Sequence, residues 1–396
     1  MFHGIAYREN IMAAGLTPIR RVVTGNDVQG RSTVAWDGPA PNTHEASLGS
    51  GRGHTDIWVW HETPLPINGA TDDGNLAYIF SGPRGGGHFR VVQARAKPAD
   101  YDRAKDPDVI APHAPKLRDG GNGLWDRGGN SLYESAMHKT QTVDYGIVLK
   151  GGRDLVLDDC RLPMNVGDIV VQVGAWHQWC FPNGAQMAFD MIWADFVDGP
   201  KGLAQGNDKP FPAPKLPAGV KPARRIVTID KREGEGVLVG DTAAPDVRLD
   251  PARPGYACAR LWVTDSAPAK IVYETLHLPH TIEPPPKGSV CRVIDFPPDA
   301  TWKGKIGAAE VAAFFKAMGS PGASTYSANA PHPYMQKTRT VDFVCILEGE
   351  ITLVLDTQEV AMKAGEIAVL RGANHAWSNR SGQSARISVC THDGKL

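Results

Sequence analysis

One segment of the chain, Met137-His138-Lys139-Thr140-Gln141-Thr142-Val143-Asp144-Tyr145-Gly146-Ile147-Val148-Leu149-Lys150-Gly151, recurs as Met335-Gln336-Lys337-Thr338-Arg339-Thr340-Val341-Asp342-Phe343-Val344-Cys345-Ile346-Leu347-Glu348-Gly349. The offset is 198 residues, and it also carries Gly167-Asp168 onto Gly365-Glu366 and Gly174-Ala175-Trp176-His177 onto Gly372-Ala373-Asn374-His375. Spacing repeats along with composition, so the chain is a duplication of one half-length unit. Whatever fold one half adopts, the other must accommodate.

Each copy alternates with period two. In an extended strand His138, Thr140, Thr142 and Asp144 share one face while Val143, Tyr145, Ile147 and Leu149 share the other; a helix would scatter them. A polar row backed by an apolar row suits a strand in a small barrel, with the polar face lining the lumen. Further short strands recur at an offset of 204: Arg20-Arg21-Val22-Val23-Thr24 with Arg224-Arg225-Ile226-Val227-Thr228, and Ile57-Trp58-Val59-Trp60 with Leu261-Trp262-Val263-Thr264. The duplication therefore spans most of both halves. Ala308 to Met318 places Val311, Phe314, Phe315 and Met318 at helical spacing before Gly319, which predicts an amphipathic helix lying on the second barrel.

A chain of 396 residues exceeds one ordinary core and suits two domains. The pattern divides it into an N-terminal arm (1–18), a first barrel domain (19–198), a Pro/Gly-rich linker (199–221) and a second barrel domain (222–396). Lys and Arg number 42 and Asp and Glu 43, a formal charge of -1, which argues against nucleic acid or an anionic membrane as partner and for a small organic molecule. Six cysteines are scattered without a Cys-x-x-Cys pair and read as buried thiols in a reducing compartment. Arg8 and Glu9 interrupt the N-terminus before a signal-type core develops, and no apolar run approaches a membrane span, so the expected location is cytoplasmic. Gly82-Pro83-Arg84-Gly85-Gly86-Gly87-His88 lacks the strand, loop and helix context of a phosphate loop and reads as a hairpin turn. Tyr101 to Asn130, rich in Asp, Pro and Gly, reads as an irregular excursion.

These motifs resemble those of the cupin superfamily. Its first motif, Gly, five residues, His-x-His, three or four residues, Glu, six residues, Gly, is matched here by His138-x-Thr140, three residues, Asp144, six residues and Gly151. Thr replaces the second His and Asp replaces the Glu. The second motif runs from Gly167-Asp168 to His177, and from Gly365-Glu366 to His375 with Asn379, one residue short between glycine and histidine in both copies. The chain thus resembles a bicupin, which implies an all-β fold of two tandem cupin barrels (double-stranded β-helix or jelly-roll) with minor helices. Cupins include dioxygenases, decarboxylases, isomerases, lyases, sensors and storage proteins, so the resemblance constrains fold more than activity.

The resemblance also supplies candidate site residues. A metal-dependent cupin holds Fe, Mn, Ni, Cu or Zn on three imidazoles and a carboxylate. The matching positions in the first barrel are His138, His177 and Asp144, with Thr140 at the missing imidazole and Glu134 as a reserve ligand. One divalent transition metal there, and no metal, are equally open. In the second barrel Gln336 and Thr338 replace the first two ligands and leave Asp342 and His375, a degenerate site, with His277, His280 and His332 available to a rearranged one. Without metal, Asp144 facing His177 would fix the imidazole tautomer and create a general base. Tyr133, Trp176, Trp179 and Phe181 would wall a flat substrate. The expected function is a small-molecule enzyme with its active site in the N-terminal lumen: a metal-dependent, dioxygenase-like oxidoreductase on one reading, a metal-free lyase or isomerase or a non-catalytic binding protein on the other. Two barrels in one chain already supply the packing that single barrels gain by pairing, so a monomer and a homo-oligomer both fit.

Overall fold

The duplicated segment becomes the central strand of each half. In the computed structural model, which describes residues 16–44, 52–69, 72–74, 81–118, 123–196, 214–217, 219–232 and 235–396, it runs as His138–Thr140 and Thr142–Val156 in the first half and as Thr340–Glu348 in the second. Most of the expected arm (1–18) and linker (199–221) lies outside the described residues. The fold is all-β, two tandem jelly-roll barrels with few helical turns. In the first, Thr142–Val156 pairs antiparallel with Ile169–Val173 on one side and Asn183–Trp193 on the other; Gly87–Ala96 and Arg52–Trp60 follow outward. The second repeats this with Thr340–Glu348, Ile367–Arg371, Ala385–Lys395, Ser289–Phe296 and Ala257–Thr264. Each barrel closes through a smaller sheet. Residues 152–156 of the long strand leave the large sheet to pair with Arg161–Asn165 and Gln178–Cys180, and Glu350–Leu355 does the same in the second half. The motif's last glycine makes that corner: Gly151 and Gly349 have φ of 68° and 76°, and a Cβ on Gly151 would meet the Gly184 carbonyl at 2.1 Å, so other side chains are strained there.

The apolar row does not face outward. Val143, Tyr145, Ile147 and Leu149 enter one core with Val341, Phe343, Cys345, Leu347, Trp58 and Trp262, so the barrels pack through their apolar faces. Phe343 stacks on Phe89 (4.9 Å) and Trp60 (5.4 Å) across this seam. Two polar pairs cross it, Tyr145 Oη with Ser289 Oγ at 2.8 Å and His392 Nε2 with Asp190 Oδ2 at 2.8 Å. The α-helix Ala308–Ala317 buries Val311, Phe314 and Phe315 in the second barrel's own core, as its spacing predicts. Gly82 to Gly86 is a turn into the strand Gly87–Ala96, with no helix following it. No helix among the described residues is long and apolar enough to cross a membrane.

The strand that opens each half joins the other half's sheet. Arg20–Asn26 pairs in parallel with Ile367–Arg371, and Arg224–Arg232 pairs in parallel with Ile169–Val173. Val22 accordingly lies in the second barrel's core and Ile226 in the first's. Each barrel is therefore assembled from both halves of the chain. The docking contacts repeat as faithfully as the strands. Arg20 binds Asp37, Glu366 (2.8 Å) and the Ala361 carbonyl (3.0 Å), while Arg224 binds Asp241, Asp168 (2.7 Å) and the Pro163 carbonyl (2.9 Å). Beside them, Arg21 donates to the Ile57 carbonyl and Asp72, and Arg225 to the Leu261 carbonyl and Glu274. Residues 222–396 expressed alone keep a strand whose partner is missing and expose the edge of Ile367–Arg371, which invites pairing with another chain. Since Arg224–Thr228 repeats Arg20–Thr24, that fragment is expected to elute as a dimer by mutual exchange in size-exclusion chromatography with light scattering. A cooperatively melting monomer would count against the assignment.

Candidate active site in the first barrel

His138 and His177 are brought together by the backbone. Each donates its N–H to the other's carbonyl at 2.9 Å, which sets the two rings side by side with centroids 4.3 Å apart. His138 Nδ1 lies 2.7 Å from the Ala136 carbonyl and His177 Nδ1 lies 2.8 Å from the Ala175 carbonyl. A carbonyl only accepts, so each Nδ1 carries the hydrogen and each Nε2 the lone pair. Burial pushes His138 down to about 4 and His177 well below the usual imidazole range, with repulsion between the two rings adding to the latter. Both rings are therefore neutral near pH 7. The tautomer expected from an Asp144–His177 contact is set instead by these carbonyls, and among the described residues no hydrogen bond joins Asp144 to His177.

Asp144 lines the same lumen on a different row. The strand register places Thr228, Gln172, Asp144, Met191 and His88 side by side across the sheet. Burial pushes the Asp144 carboxyl up to about 7, opposed by the Thr142 hydroxyl and aided by Asp190. Asp144 Oδ1, both amide atoms of Gln172, both ring nitrogens of His88 and the Thr228 hydroxyl lack hydrogen-bond partners, a concentration that native interiors rarely tolerate without a ligand or water. Thr140 is engaged with Thr142 at 2.6 Å. Glu134, the reserve ligand, is bound to Arg103 and Ser131 in a separate cleft with Tyr101 and Tyr133. Trp179 and Phe181 do wall the lumen, joined by Phe189, Met191 and Val92. Tyr133 and Trp176 do not line it: Trp176 lies under the Arg127 guanidinium at 4.7 Å.

A transition-metal site needs more than this arrangement supplies. Among the described residues no three His, Cys, Asp or Glu side chains gather in a metal-ligating group, so the expected set of His138, His177 and Asp144 does not form as one cluster. The two Nε2 atoms are oriented as metal-binding histidines usually are, through a second-sphere bond at Nδ1. Among the described residues no third His, Cys, Asp or Glu joins them.

The second barrel keeps the frame and a cavity of similar size, but bonds its polar row internally. Gln336 and His375 exchange the same two backbone hydrogen bonds (2.8 and 2.9 Å), and His375 Nδ1 meets the Ala373 carbonyl at 2.9 Å. There, however, the Gln336 amide faces His375 Nε2 at 3.2 Å. Thr338 bonds Thr340 and Thr340 donates to Asp342, so the polar row satisfies itself. The rearranged set does not assemble: His332 accepts the Tyr334 N–H beside Asp299, His280 meets Asp246, and His277 is exposed.

Asp230, on the strand contributed by the second half, is a site residue that the motifs do not reveal. Its two oxygens bind the Lys139 ammonium (2.8 Å) and the Trp176 N–H (2.9 Å), so one buried carboxylate ties down the residues next to both His138 and His177. Its counterpart in the repeat is Asn26, and that difference is the signal available in the sequence.

Comparisons with known proteins follow the same lines. No family model matches the chain. A stretch of 48 residues is 50% identical to phomopsin biosynthesis cluster protein C' of Diaporthe leptostromiformis, covering 12% of this chain and only 25% of that protein. Cupin-domain-containing oxidoreductases of Hypocrea virens (27% identical over 188 residues, 43% of this chain and 73% of that one) and Neurospora crassa (25% over 179 residues, 45% and 74%) are similar over longer stretches. Among solved structures, AerE from Microcystis aeruginosa (TM-score 0.33, 12% identity, 77% of this chain and 87% of that one) and Ylba from E. coli (0.35, 9%, 87% and 85%) are similar. The barrels, their paired motifs and the cupin-domain relatives make this chain a cupin-fold protein. Within that class it has two barrels, of which the first keeps the imidazole pair.

Two expectations follow. Asp230→Ala removes the carboxylate from a buried ion pair and should cost about 3 kcal/mol or more, read as a fall in urea midpoint. Asp144 has a folded-state value above its ordinary 3.8, so the stability it contributes is full below that value and is lost as pH rises to about 7. The loss amounts to roughly 4 kcal/mol. Urea melts of Asp144→Asn at pH 4 to 8 should lack that decline relative to wild type.

Proposed function

We propose that the first barrel is the catalytic half and acts on a small organic molecule by proton transfer; in the oxidoreductase role that the fungal relatives' names carry, this is the proton half of a reaction whose electrons pass to a bound co-substrate or metal. The observation that carries this reading is the His138–His177 pair, two buried neutral imidazoles with Nδ1 fixed and Nε2 left basic. A neutral Nε2 takes a proton from the substrate, though burial makes these imidazoles weaker bases than usual; the Asp144 carboxyl, poised at about 7, returns one, and it is the group matched to a working pH near neutral. Thr140, hydrogen-bonded to Thr142, lines the path between these rows. A divalent transition metal would add the redox chemistry common among cupins, but the described donors do not complete its set, and no step is assigned to one. The balanced charge and the free, mostly buried cysteines support a small-molecule partner in the cytoplasm rather than nucleic acid or a membrane.

The metal-free lyase or isomerase is the second reading, favoured by the missing third donor; moving a proton within one substrate needs only the base and acid present. Elemental analysis of unsupplemented protein separates the two: stoichiometric metal lost in His138→Ala supports the oxidoreductase, and metal-free turnover supports the isomerase. In either case His177→Ala should lower kcat by roughly 10²- to 10⁴-fold with little change in melting temperature. Activity should rise with pH through about 4, where His138 loses its proton, and fall above about 7, where Asp144 loses its own. If His177→Ala weakens ligand binding and no turnover exists to lose, the barrel is a binding module.

A further inference from the structure

Among the described residues, two arginines in the first lumen form no ion pair with an acidic side chain. Arg153 is 1% exposed and Arg52 9%, and the Nε of each lacks a hydrogen-bond partner. Arg153 Nη2 donates to the Val92 carbonyl at 3.0 Å, and Arg52 Nη1 reaches the Glu134 carbonyl at 3.5 Å. Among the described residues neither forms an ion pair, although Asp106 and Asp108 act on Arg52 through space. Arg90, in the same lumen, is by contrast held against Asp56 at 2.5 Å. Burial, with repulsion from Arg52, lowers Arg153 to about 9. Arg52, Arg90 and Arg153 all help to keep the buried His54 uncharged. Two neighbouring guanidinium groups buried without a counter-charge are costly, and folds retain them where something else supplies the charge.

The duplication provides an internal control. Tyr256 and Ile351 stand at the corresponding positions of the second half, so the barrel closes without these arginines. Two other arginines line the second cavity: Arg253 is neutralised by Asp250 at 2.6 Å and capped by the Tyr334 ring at 3.5 Å, and Arg292 donates to the Thr281 and Ile282 carbonyls. What the first barrel alone has is the side-by-side pair at positions 52 and 153. Its surroundings are apolar and flat: the Arg153 guanidinium lies 4.6 Å from the Phe181 ring centre, 5.9 Å from Trp179 and 6.0 Å from Phe189.

We propose that Arg52 and Arg153 form the receptor for a carboxylate carried on an apolar, planar body, so that the molecule handled in this lumen is an unsaturated or aromatic carboxylate. Guanidinium groups match a carboxylate in geometry as well as charge, and the aromatic wall receives the attached ring. The proposal names the ligand class for the proposed catalytic lumen, yet binding is measured without turnover.

The full chain is titrated by calorimetry with benzoate, with benzamide as the uncharged match and inorganic phosphate as an anion without a ring. Benzoate should bind at least tenfold more tightly than either. Arg153→Ile, which copies the second half, should weaken benzoate at least tenfold while the unliganded melting temperature stays level or rises, because an uncompensated buried charge is gone. Arg52→Tyr should act likewise. Equal binding of benzamide, tighter binding of phosphate, no binding of benzoate to the wild type, or unchanged benzoate affinity in Arg153→Ile with a lowered melting temperature would each overturn the proposal. His177→Ala should retain benzoate, so failure of the catalytic reading is distinguishable from failure of this one.

Discussion

The reciprocal exchange of Arg20–Asn26 and Arg224–Arg232 is the constraint on which the rest of the molecule depends. Each strand fills what would otherwise be an open parallel edge, along Ile367–Arg371 in one sheet and Ile169–Val173 in the other. Each is pinned by an arginine to an acid at the start of its partner strand, Arg20 to Glu366 and Arg224 to Asp168. The glycine and acid at 167–168 and 365–366 thus have a plain structural duty. The glycines turn the chain at positive φ, and the acids receive the strand arriving from the other half.

On that frame the two lumens diverge by how completely they satisfy themselves. In the second, Gln336, His375, Thr338, Thr340 and Asp342 bond to one another and Arg253 has its own carboxylate. In the first, a carboxyl, an amide, an imidazole and two guanidinium groups are left with unpartnered atoms inside the barrel. Unpaired buried polar groups cost stability; the second cavity keeps two such atoms, on Arg253 and Arg292, but its carboxyl, amide and imidazole row is bonded, so the fold does not require that row to stay unpaired. Their persistence in the other supports the proposal that the chemistry lies there. Hydrogen bonds that leave both Nε2 atoms basic, and burial that holds His138 and His177 neutral, agree with that location.

Much of this was legible in the residues. Period-two alternation identified the strands and the lumen row, helical spacing identified Ala308–Ala317, and the repeat identified two barrels with the imidazoles of only the first intact. Pairing partners were not legible, because Arg20-Arg21-Val22-Val23-Thr24 reads as the same strand whichever sheet accepts it; its ladder to Ile367–Arg371 is a contact between opposite ends of the chain. Strand alternation also says which face a side chain takes without saying how deep it sits. Asp144 shares a face with His138 yet belongs to a row with Gln172 and His88, and Glu134, one turn of sequence earlier, is drawn out of the lumen by Arg103. Arg52 and Arg153 escaped notice because an arginine announces no burial; only the packing shows that nothing neutralises it.

A barrel without the imidazole pair would ordinarily be free to drift. Here it supplies the strand carrying Thr228, which enters the polar row of the first lumen, and Asp230, which anchors the flanks of both histidines. Mutational drift should therefore be tolerated around Gln336 and His375 but not along Arg224–Arg232, and deletion of the second half would dismantle the first. The second copy is a wall of its twin.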